Sequence, residues 1–583
     1  MTLPLRAEAD TGTGGPSVAS PWPVRLRVQV AFLLLVFGYG VSFSFDENDS
    51  FDTAFWMQRG DVRSMLEFRH LIQRLLPWWL WQALGAAGIQ VGALALLNAW
   101  DFCTGAASVM LLYRILRQLT SSGGISLAAS FAYATAHCVW LYTGSGRLYT
   151  TSMLLTFAAY YAALQLCAAE SERRRWFLVI VSAVSVCFAC LFWLVHALNA
   201  VGVGLLVVAW PSDVSRLRRV AYLAAYSFAG IVLALSIAVA CLLYVQVPLE
   251  REAIATWMAA AGTQPTQFDA LSLMKASFGQ AQGILVMNEL PYMISGRMLG
   301  DPRLGGLASF PWQLGKFIFT WSLLTLVYVY PLLMWRNAER YRRVLIAVLY
   351  VPLAINVLFG LAWLGSDEQR FMPSMLSQFA LASLAVQDWL GRLHRPRLLA
   401  VPLMLSLAFI AGDNLLEALL PSQRAHIVLA AEMKAVRTYV REQDLLLDFG
   451  REFPSSFHPM IQYYAGSRYL PMIGDVATWN WDRRDWKQAT HRLMSDVWHR
   501  GGRIFAMDRL ALGFNPQDAI WSEKQHPSPT ASQFGQHLRG NYCVTPAFHL
   551  GNFRYYLVEP RGPECPDTVS DSPVARLPLD PRR

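Results

Sequence analysis

Apolar runs long enough to cross a bilayer recur between residues 28 and 411, and this recurrence constrains the fold more than any other feature of the chain. The bilayer core is roughly 30 Å thick and holds no water to satisfy backbone N–H and C=O groups, so each run of about 18–20 apolar residues must cross as a helix. The runs are Val28–Phe45, Val91–Leu112, Ile125–Tyr142, Leu148–Ala168, Trp176–Val195, Ala197–Trp210, Ala221–Tyr244, Phe317–Met334, Val344–Leu364, Phe371–Val386 and Leu398–Ala411, which predicts about 11 transmembrane helices. The sixth is short and follows the fifth almost without a turn. Composition agrees: 54% of the 583 residues are hydrophobic and only 15% charged, too apolar for a typical water-soluble domain.

The net charge of +9 raises the question of nucleic acid. Its distribution excludes that partner, because the cations sit in short arginine clusters between apolar runs. Alternate loops carry Arg114 and Arg117; Arg173, Arg174 and Arg175; Arg216, Arg218 and Arg219; Arg336, Arg340, Arg342 and Arg343; and Arg392, Arg395 and Arg397. The positive-inside bias makes these loops cytoplasmic, with the N-terminus on the same side and the C-terminus outside. The expected location is a bacterial inner membrane, crossed many times. Residues 1–24, rich in Gly, Ser, Thr and Pro, form a disordered cytoplasmic tail. Val28–Phe45 is too long and bulky for a signal peptide and lacks a small-x-small cleavage site, so it reads as a retained helix.

The expected organisation is therefore a transmembrane domain over 25–413, with outer loops at 46–85 and 245–314, followed by an extracytoplasmic domain over 414–583. In the last part a helical pattern in "AAEMKAVRTYVREQ" leads to strand-like "DLLLDFG", "GRIFAMD", "NYCVTPAFHL" and "FRYYLVEP", which together predict a small α/β domain. Cys103, Cys138, Cys167, Cys187, Cys190 and Cys241 lie in or near spans as small apolar side chains. Cys543 and Cys565 share the outer domain, where a disulfide persists.

No phosphate-cradling GxxxxGK[ST], strand-linked GxGxxG or HExxH occurs, which leaves the outer loops as the place for chemistry. "FSFDENDSFDTAF" sets Asp46, Glu47, Asp49 and Asp52 directly after the first apolar run. Crowded like charges and partial burial both raise a carboxylate's pKa towards the range a general base needs. Basic residues answer them in "RGDVRSMLEFRHLIQRLLPWWLW", which reads as an amphipathic interfacial helix carrying Arg59, Arg63, Arg69 and His70 and ending in Trp78, Trp79 and Trp81. Such a helix beside a carboxylate cluster suits a substrate with a lipid tail and a charged head. Asp101, beside Asn98 near the second span, is a costly intramembrane carboxylate without an assigned role. In the outer domain, "GDVATWNWDRRDW" offers Asp475, Trp479, Trp481, Asp482 and Trp486 either for sugar contact or for packing.

A first helix, an Asp-Glu pair opening a long outer loop, many spans and a terminal outer domain together resemble the GT-C superfamily of membrane glycosyltransferases. That superfamily includes protein O-mannosyltransferases and lipid A aminoarabinose transferases. "FRHLIQRLLP", "LFWLVHALNAVGVGLLVVAWP" and "WLGSDEQRFMPSMLSQFALA" are similar to segments of uncharacterised bacterial GT-C-like proteins, so the resemblance covers most of residues 25–390. The family's acidic pair is followed shortly by an aromatic residue and Ala. Here Asn48, Asp49, Ser50 and Phe51 follow, so Asp49 or Asp52 is also in position to be the counterpart.

The resemblance implies an α-helical polytopic fold and an inverting sugar transfer from a polyprenyl-phosphate donor to a glycan, lipid or protein acceptor. It assigns the general base to Asp46, with Asp49 second. Glu47 and Asp52 would orient acceptor or hold Mg²⁺ or Mn²⁺. The donor phosphate falls to Arg147, to Arg69 with His70, or to Arg370, and His196 lands at the outer membrane face. The rival reading is a multi-pass transporter or flippase of lipid-linked or small polar substrates, for which internal repeats and mid-membrane polar residues are expected. Topology gives a direct check. Alkaline phosphatase fused after Asp413 is expected to be active in a bacterial host, and a silent fusion would overturn the odd number of spans.

Overall fold

The computed structural model describes residues 48–66, 68–209, 214–260, 270–287, 310–336, 340–362, 368–392, 397–423, 438–448, 463, 468–471, 486–507, 511, 531–550 and 553–565. The run Val28–Phe45 and the acids Asp46 and Glu47 lie outside them. The chain divides into two compact units, one containing Val62–Gln423 and the other joining Asp46–Asp61 to Arg424–Arg583.

The first unit is helical. After the one-turn helix α2 (Val62–Met65) come α3 (Leu75–Ala86), α4 (Ala93–Thr120), α5 (Gly123–Thr135), α6 (His137–Thr143), α7 (Tyr149–Gln165) and α8 (Glu172–Phe192). Then follow α9 (Leu198–Ala209), α10 (Arg216–Tyr244), α11 (Arg251–Ala260), α12 (Ala270–Gln282), α13 (Phe310–Trp335), α14 (Arg340–Ala362), α15 (Met375–Arg392) and α16 (Arg397–Asn414). Three of these helices start on a serine cap: Ser122, Ser171 and Ser215 accept from the backbone N–H of Ile125, Arg174 and Arg218. Two of those caps, at Ser171 and Ser215, open directly into arginine clusters of the kind the sequence places on the cytoplasmic side.

Among the described residues six helices are long and apolar enough to cross a membrane: α4, α8, α10, α13, α14 and the segment Ala400–Gln423. The protein is thus a polytopic α-helical membrane protein. Several expected spans differ in detail. Ile125–Tyr142 is two helices, α5 and α6, bent by 65° at Ala136. Ala197–Trp210 yields only the 12-residue α9, and the helix expected to end at Ala411 runs on through a π-turn, Leu415–Leu419. The expected interfacial helix is also broken, into α2 and α3 with a turn between, because residues 68–74 pair their backbone elsewhere. Ile72 N–H donates to Leu191 O at 3.2 Å, and Arg69 O accepts from Leu194 N–H at 3.1 Å.

The break at Ala136 frees backbone groups that must find partners at membrane depth. His137 and Cys138 donate to the carbonyls of Ile284 and Gly283 at 3.0 and 3.2 Å. Asn414 closes the arrangement: its Nδ2 donates to Thr135 O and Ile284 O, each at 2.8 Å, and its Oδ1 accepts from Val286 N–H at 2.8 Å. Close helix approach depends on small residues. A Cβ at Gly202 of α9 would collide with the Tyr160 hydroxyl and lie 2.8 Å from Pro352.

Beside Asn414 sits a buried charge cluster. Lys316 Nζ lies 2.8 Å from Asp413 and 2.7 Å from Glu417, with its side chain 1% exposed. Glu417 also accepts from Trp312 Nε1 at 2.9 Å. Removing the cation strands two carboxylates, so Lys316→Met is expected to cost about 3–5 kcal/mol. The triple change Lys316→Met, Asp413→Leu, Glu417→Leu is expected to recover most of that loss in thermal unfolding of the detergent-solubilised protein.

The second unit contains α1 (Asn48–Arg59), β1 (Leu445–Asp448), β2 (Arg468–Pro471), α17 (Trp486–His499), β3 (Ile504–Met507), α18 (Ala531–Asn541), β4 (Tyr542–Leu550) and β5 (Phe553–Pro560). The sheet runs β2-β1-β3-β5-β4, with β2, β1 and β3 parallel, and β5 antiparallel to both β3 and β4. Leu445, Ile504, Val558 and Val544 of the sheet pack against Met494, Val497, Phe534 and Leu538 of α17 and α18. Asp444 is buried ahead of β1, accepting from the backbone of Arg441 and Arg503 and pairing with the Arg503 guanidinium at 2.7 Å. Cys543 and Cys565 are joined in a disulfide, Cα–Cα 5.5 Å, closing 22 residues. A loop of that length is worth about 3 kcal/mol in the chain-entropy account. Replacing both cysteines by serine is therefore expected to lower the unfolding free energy of this unit by that order, read from chemical denaturation under oxidising conditions.

Candidate functional site

The polar groups of the first unit converge on the turn between α6 and α7, residues 144–148. The turn is buried throughout, Arg147 included. Two of its residues take left-handed backbone: Gly146, at φ 78°, at no steric cost, and Leu148, at φ 66°, against a penalty of about 1–2 kcal/mol. Strain of that kind persists only where the surroundings over-determine it.

The surroundings here are led by Asp101, fully buried in α4. Its Oδ2 accepts from the strained Leu148 N–H at 2.8 Å, and its Oδ1 accepts from the Thr150 hydroxyl at 2.8 Å. The backbone of Gly146 and Arg147 also faces the carboxylate. The arrangement is a side-chain cap on α7, placed at the N-terminus where the helix dipole favours a negative group. From the other side Gln73 Nε2 donates to Arg147 O at 2.5 Å.

Arg147 is held in an aromatic setting. Its guanidinium lies 5.5 Å from the Tyr142 ring centroid and 5.9 Å from that of Tyr149, and its Nη1 donates to Gln369 Oε1 at 3.2 Å. Tyr149 stacks on Trp193 at 4.5 Å, and the Tyr142 hydroxyl donates to Glu368 at 3.1 Å. His70 joins the same surface, 6.1 Å from Tyr149, with Nδ1 3.0 Å from Phe192 O. Arg370 is buried on the 3₁₀ turn Glu368–Ser374, which Asn356 and Asn199 hold through the carbonyls of Arg370 and Pro373 at 3.2 and 3.0 Å. Arg69, His70, Arg147 and Arg370 thus belong to one unit, and Gln73, Gln369, Tyr142 and Tyr149 tie His70 and Arg147 together. His196 is fully buried one turn beyond Trp193, its Nδ1 2.7 Å from the Thr156 hydroxyl.

The acidic cluster divides differently. Asp46 and Glu47 lie outside the described residues, and Asp49 falls in the first turn of α1. Asp52, one turn further on, accepts from Trp56 Nε1 at 2.8 Å. Among the described residues no three His, Cys, Asp or Glu side chains cluster to hold a metal ion. Asp475, Trp479, Trp481 and Asp482 also lie outside the described residues, while Trp486 stacks on Phe534 at 5.5 Å and so packs the outer unit.

What the sequence missed is the function of Asp101 and the participation of Gln73, Tyr142, Tyr149 and Gln369. A carboxylate inside an apolar run signals the first. The others carry no spacing that links residues more than 200 positions apart.

No family profile matches the sequence. No curated relative matches it either. Solved structures do. The chain is similar to ArnT from Cupriavidus metallidurans in the apo state, with a TM-score of 0.52 at 12% identity over 91% of this chain and 97% of that one. The same protein bound to undecaprenyl phosphate matches at 0.51, with the same identity and coverage. The archaeal oligosaccharyltransferase AglB from Archaeoglobus fulgidus, in complex with an inhibitory peptide and a dolichol-phosphate, gives 0.47 at 11% identity over 91% of this chain and 74% of its own.

Proposed function

We propose, from the GT-C fold that the chain shares with ArnT, that it is a membrane glycosyltransferase taking its sugar from a polyprenyl-phosphate donor on the extracytoplasmic side. The observation that carries this reading is the buried cation–aromatic surface around Arg147 within that fold, with Arg370 also buried, in a protein whose structural neighbour has been solved with undecaprenyl phosphate. Guanidinium groups are suited to phosphate, and in a low-dielectric setting their hydrogen bonds to an anion are strong. The Tyr142 and Tyr149 rings around Arg147 exclude water and leave that cation poorly hydrated, which favours an anionic guest.

In the proposed reaction the acceptor hydroxyl attacks the anomeric carbon from the face opposite the lipid phosphate. A carboxylate, Asp46 ahead of Asp49, takes the hydroxyl proton as the new C–O bond forms. The anomeric C–O bond breaks with its electron pair going to the phosphate, and inversion follows from the in-line geometry. Arg147 and Arg370, with Arg69 and His70 as further candidates, stabilise the charge that grows on the departing phosphate. Glu47 and Asp52 orient the acceptor or hold a divalent ion, whose oxygen-rich preferences suit Mg²⁺ or Mn²⁺.

A transporter would draw on charge buried at membrane depth, and Lys316 with Asp413 is such a pair. Lys316 is, however, matched by two carboxylates and a Trp312 ring, which suits a fixed clamp.

The test uses the purified full chain with radiolabelled polyprenyl-phosphate sugars and Asp46→Asn, Asp49→Asn and Asp52→Asn made separately. One of the first two is expected to lower kcat by about 10²–10⁴ while donor binding is retained. Transfer at wild-type rate in all three variants would overturn the mechanism.

A further inference from the structure

We propose that Asp101 is a positioning residue for Arg147, acting through the left-handed turn at Leu148 and the Thr150 hydroxyl. The proposal rests on the reading that Arg147 meets the donor phosphate. It goes beyond that reading by assigning work to a carboxylate that touches neither donor nor acceptor.

Asp101 is completely buried within α4, and its carboxylate oxygens are turned to the start of α7. One oxygen holds the N–H of Leu148, the residue directly after Arg147, and the other holds Thr150. Leu148 sits at φ 66°, a conformation a leucine leaves readily unless its N–H is tied. Rotation of Leu148 back to right-handed or extended backbone would swing the preceding peptide and with it the Cα–Cβ vector of Arg147. The guanidinium would then leave the Tyr142 and Tyr149 rings and Gln369. The arrangement is reinforced on the Asp101 side, where the Thr104 and Thr150 hydroxyls lie 2.7 Å apart and Trp100 Nε1 donates to Thr151 at 2.9 Å. Gln73, by contrast, grips only the Arg147 carbonyl, so it fixes the turn's depth without fixing the sign of φ at Leu148.

A neutral amide at this position cannot reproduce the contacts. The carboxylate accepts on both oxygens, whereas Asn would present one NH₂ group to a donor already aimed at it. Thr150→Ser keeps the hydroxyl and Thr150→Val removes it with little change in shape, so the Thr150 pair probes the same link if Asp101 variants fail to fold.

The experiment measures binding of undecaprenyl phosphate to the purified full chain in detergent. Arg147→Ala is expected to weaken it by about 10- to 100-fold, the value of a charge-assisted hydrogen bond. Asp101→Asn and Thr150→Val are each expected to weaken it severalfold, and Thr150→Ser to restore it. In the Arg147→Ala background, Asp101→Asn and Thr150→Val are expected to add less than about twofold, because a residue that acts through Arg147 has nothing left to position. Equal factors in both backgrounds would overturn the positioning role while leaving the phosphate reading intact. An Arg147→Ala protein that binds as well as wild type would overturn both.

Discussion

Every bend of backbone inside this membrane protein must be answered by a hydrogen-bond partner, because no water is present to supply one. The fold interrupts its helices at Ala136, inside an expected span, and at residues 144–148, between two expected spans, and each break is answered by a buried polar side chain. Asn414 serves the first, accepting from one backbone N–H and donating to two carbonyls. Asp101 serves the second, accepting a backbone N–H and a hydroxyl. The chemistry at each site matches the groups exposed there. At Ala136 the freed N–H groups of His137 and Cys138 go to the carbonyls of Ile284 and Gly283, while the Asn414 amide donates to Thr135 O and Ile284 O and accepts from Val286 N–H, using both of its functions. The turn before α7 turns the Leu148 N–H and the Thr150 hydroxyl toward α4, which suits a carboxylate at a helix N-terminus.

These two devices matter for function because they bracket α6. That short helix carries Tyr142 and delivers the chain into the Arg147 turn. With its start fixed by Asn414 and residues 283–284 and its end fixed by Asp101, the cation is set in place before any ligand arrives. In the proposed reaction, preorganisation of this kind would remove an ordering cost from binding and from the growth of charge on a leaving phosphate. The buried Lys316 cluster extends the same logic, since Asp413 precedes Asn414 directly and its ion pair pins the segment from which the amide reaches.

Much of the fold was legible in the sequence. Long apolar runs, alternating arginine loops and the strand pattern after residue 440 reflect forces that act on local composition, and these yield the helices and the α/β sheet. The breaks were less legible. At "ATAHCVW" there is no Pro or Gly to mark the 65° bend, because the bend is imposed by partners from 283–284 and 414. The interfacial helix expected from "RGDVRSMLEFRHLIQRLLPWWLW" had the right amphipathic period, yet Ile72 N–H donates to Leu191 O and Arg69 O accepts from Leu194 N–H. Tertiary pairing overrode a sound local pattern. Of the candidate site, Arg147, Arg370 and His70 were visible as isolated basic residues on the expected outer face. Their aromatic neighbours were not, since Tyr142 and Tyr149 look like ordinary helix residues until the turn brings them around the guanidinium.

The division of labour among acids follows from the same constraint. A general base must change protonation state during turnover, so it needs access to an acceptor hydroxyl and an environment that tolerates both forms. Asp101 lacks that access: it is sealed in α4, and its two oxygens are engaged by the Leu148 N–H and the Thr150 hydroxyl. The acids proposed as the base lie instead after the first apolar run, where Asp46, Glu47, Asp49 and Asp52 fall within seven positions. The proposed transfer therefore uses two sorts of carboxylate, one to fix a cation and one to exchange a proton. In the proposed reaction the first sort is Asp101, placed within a span with both oxygens engaged by donors, and the second lies in the sequence that follows the first apolar run.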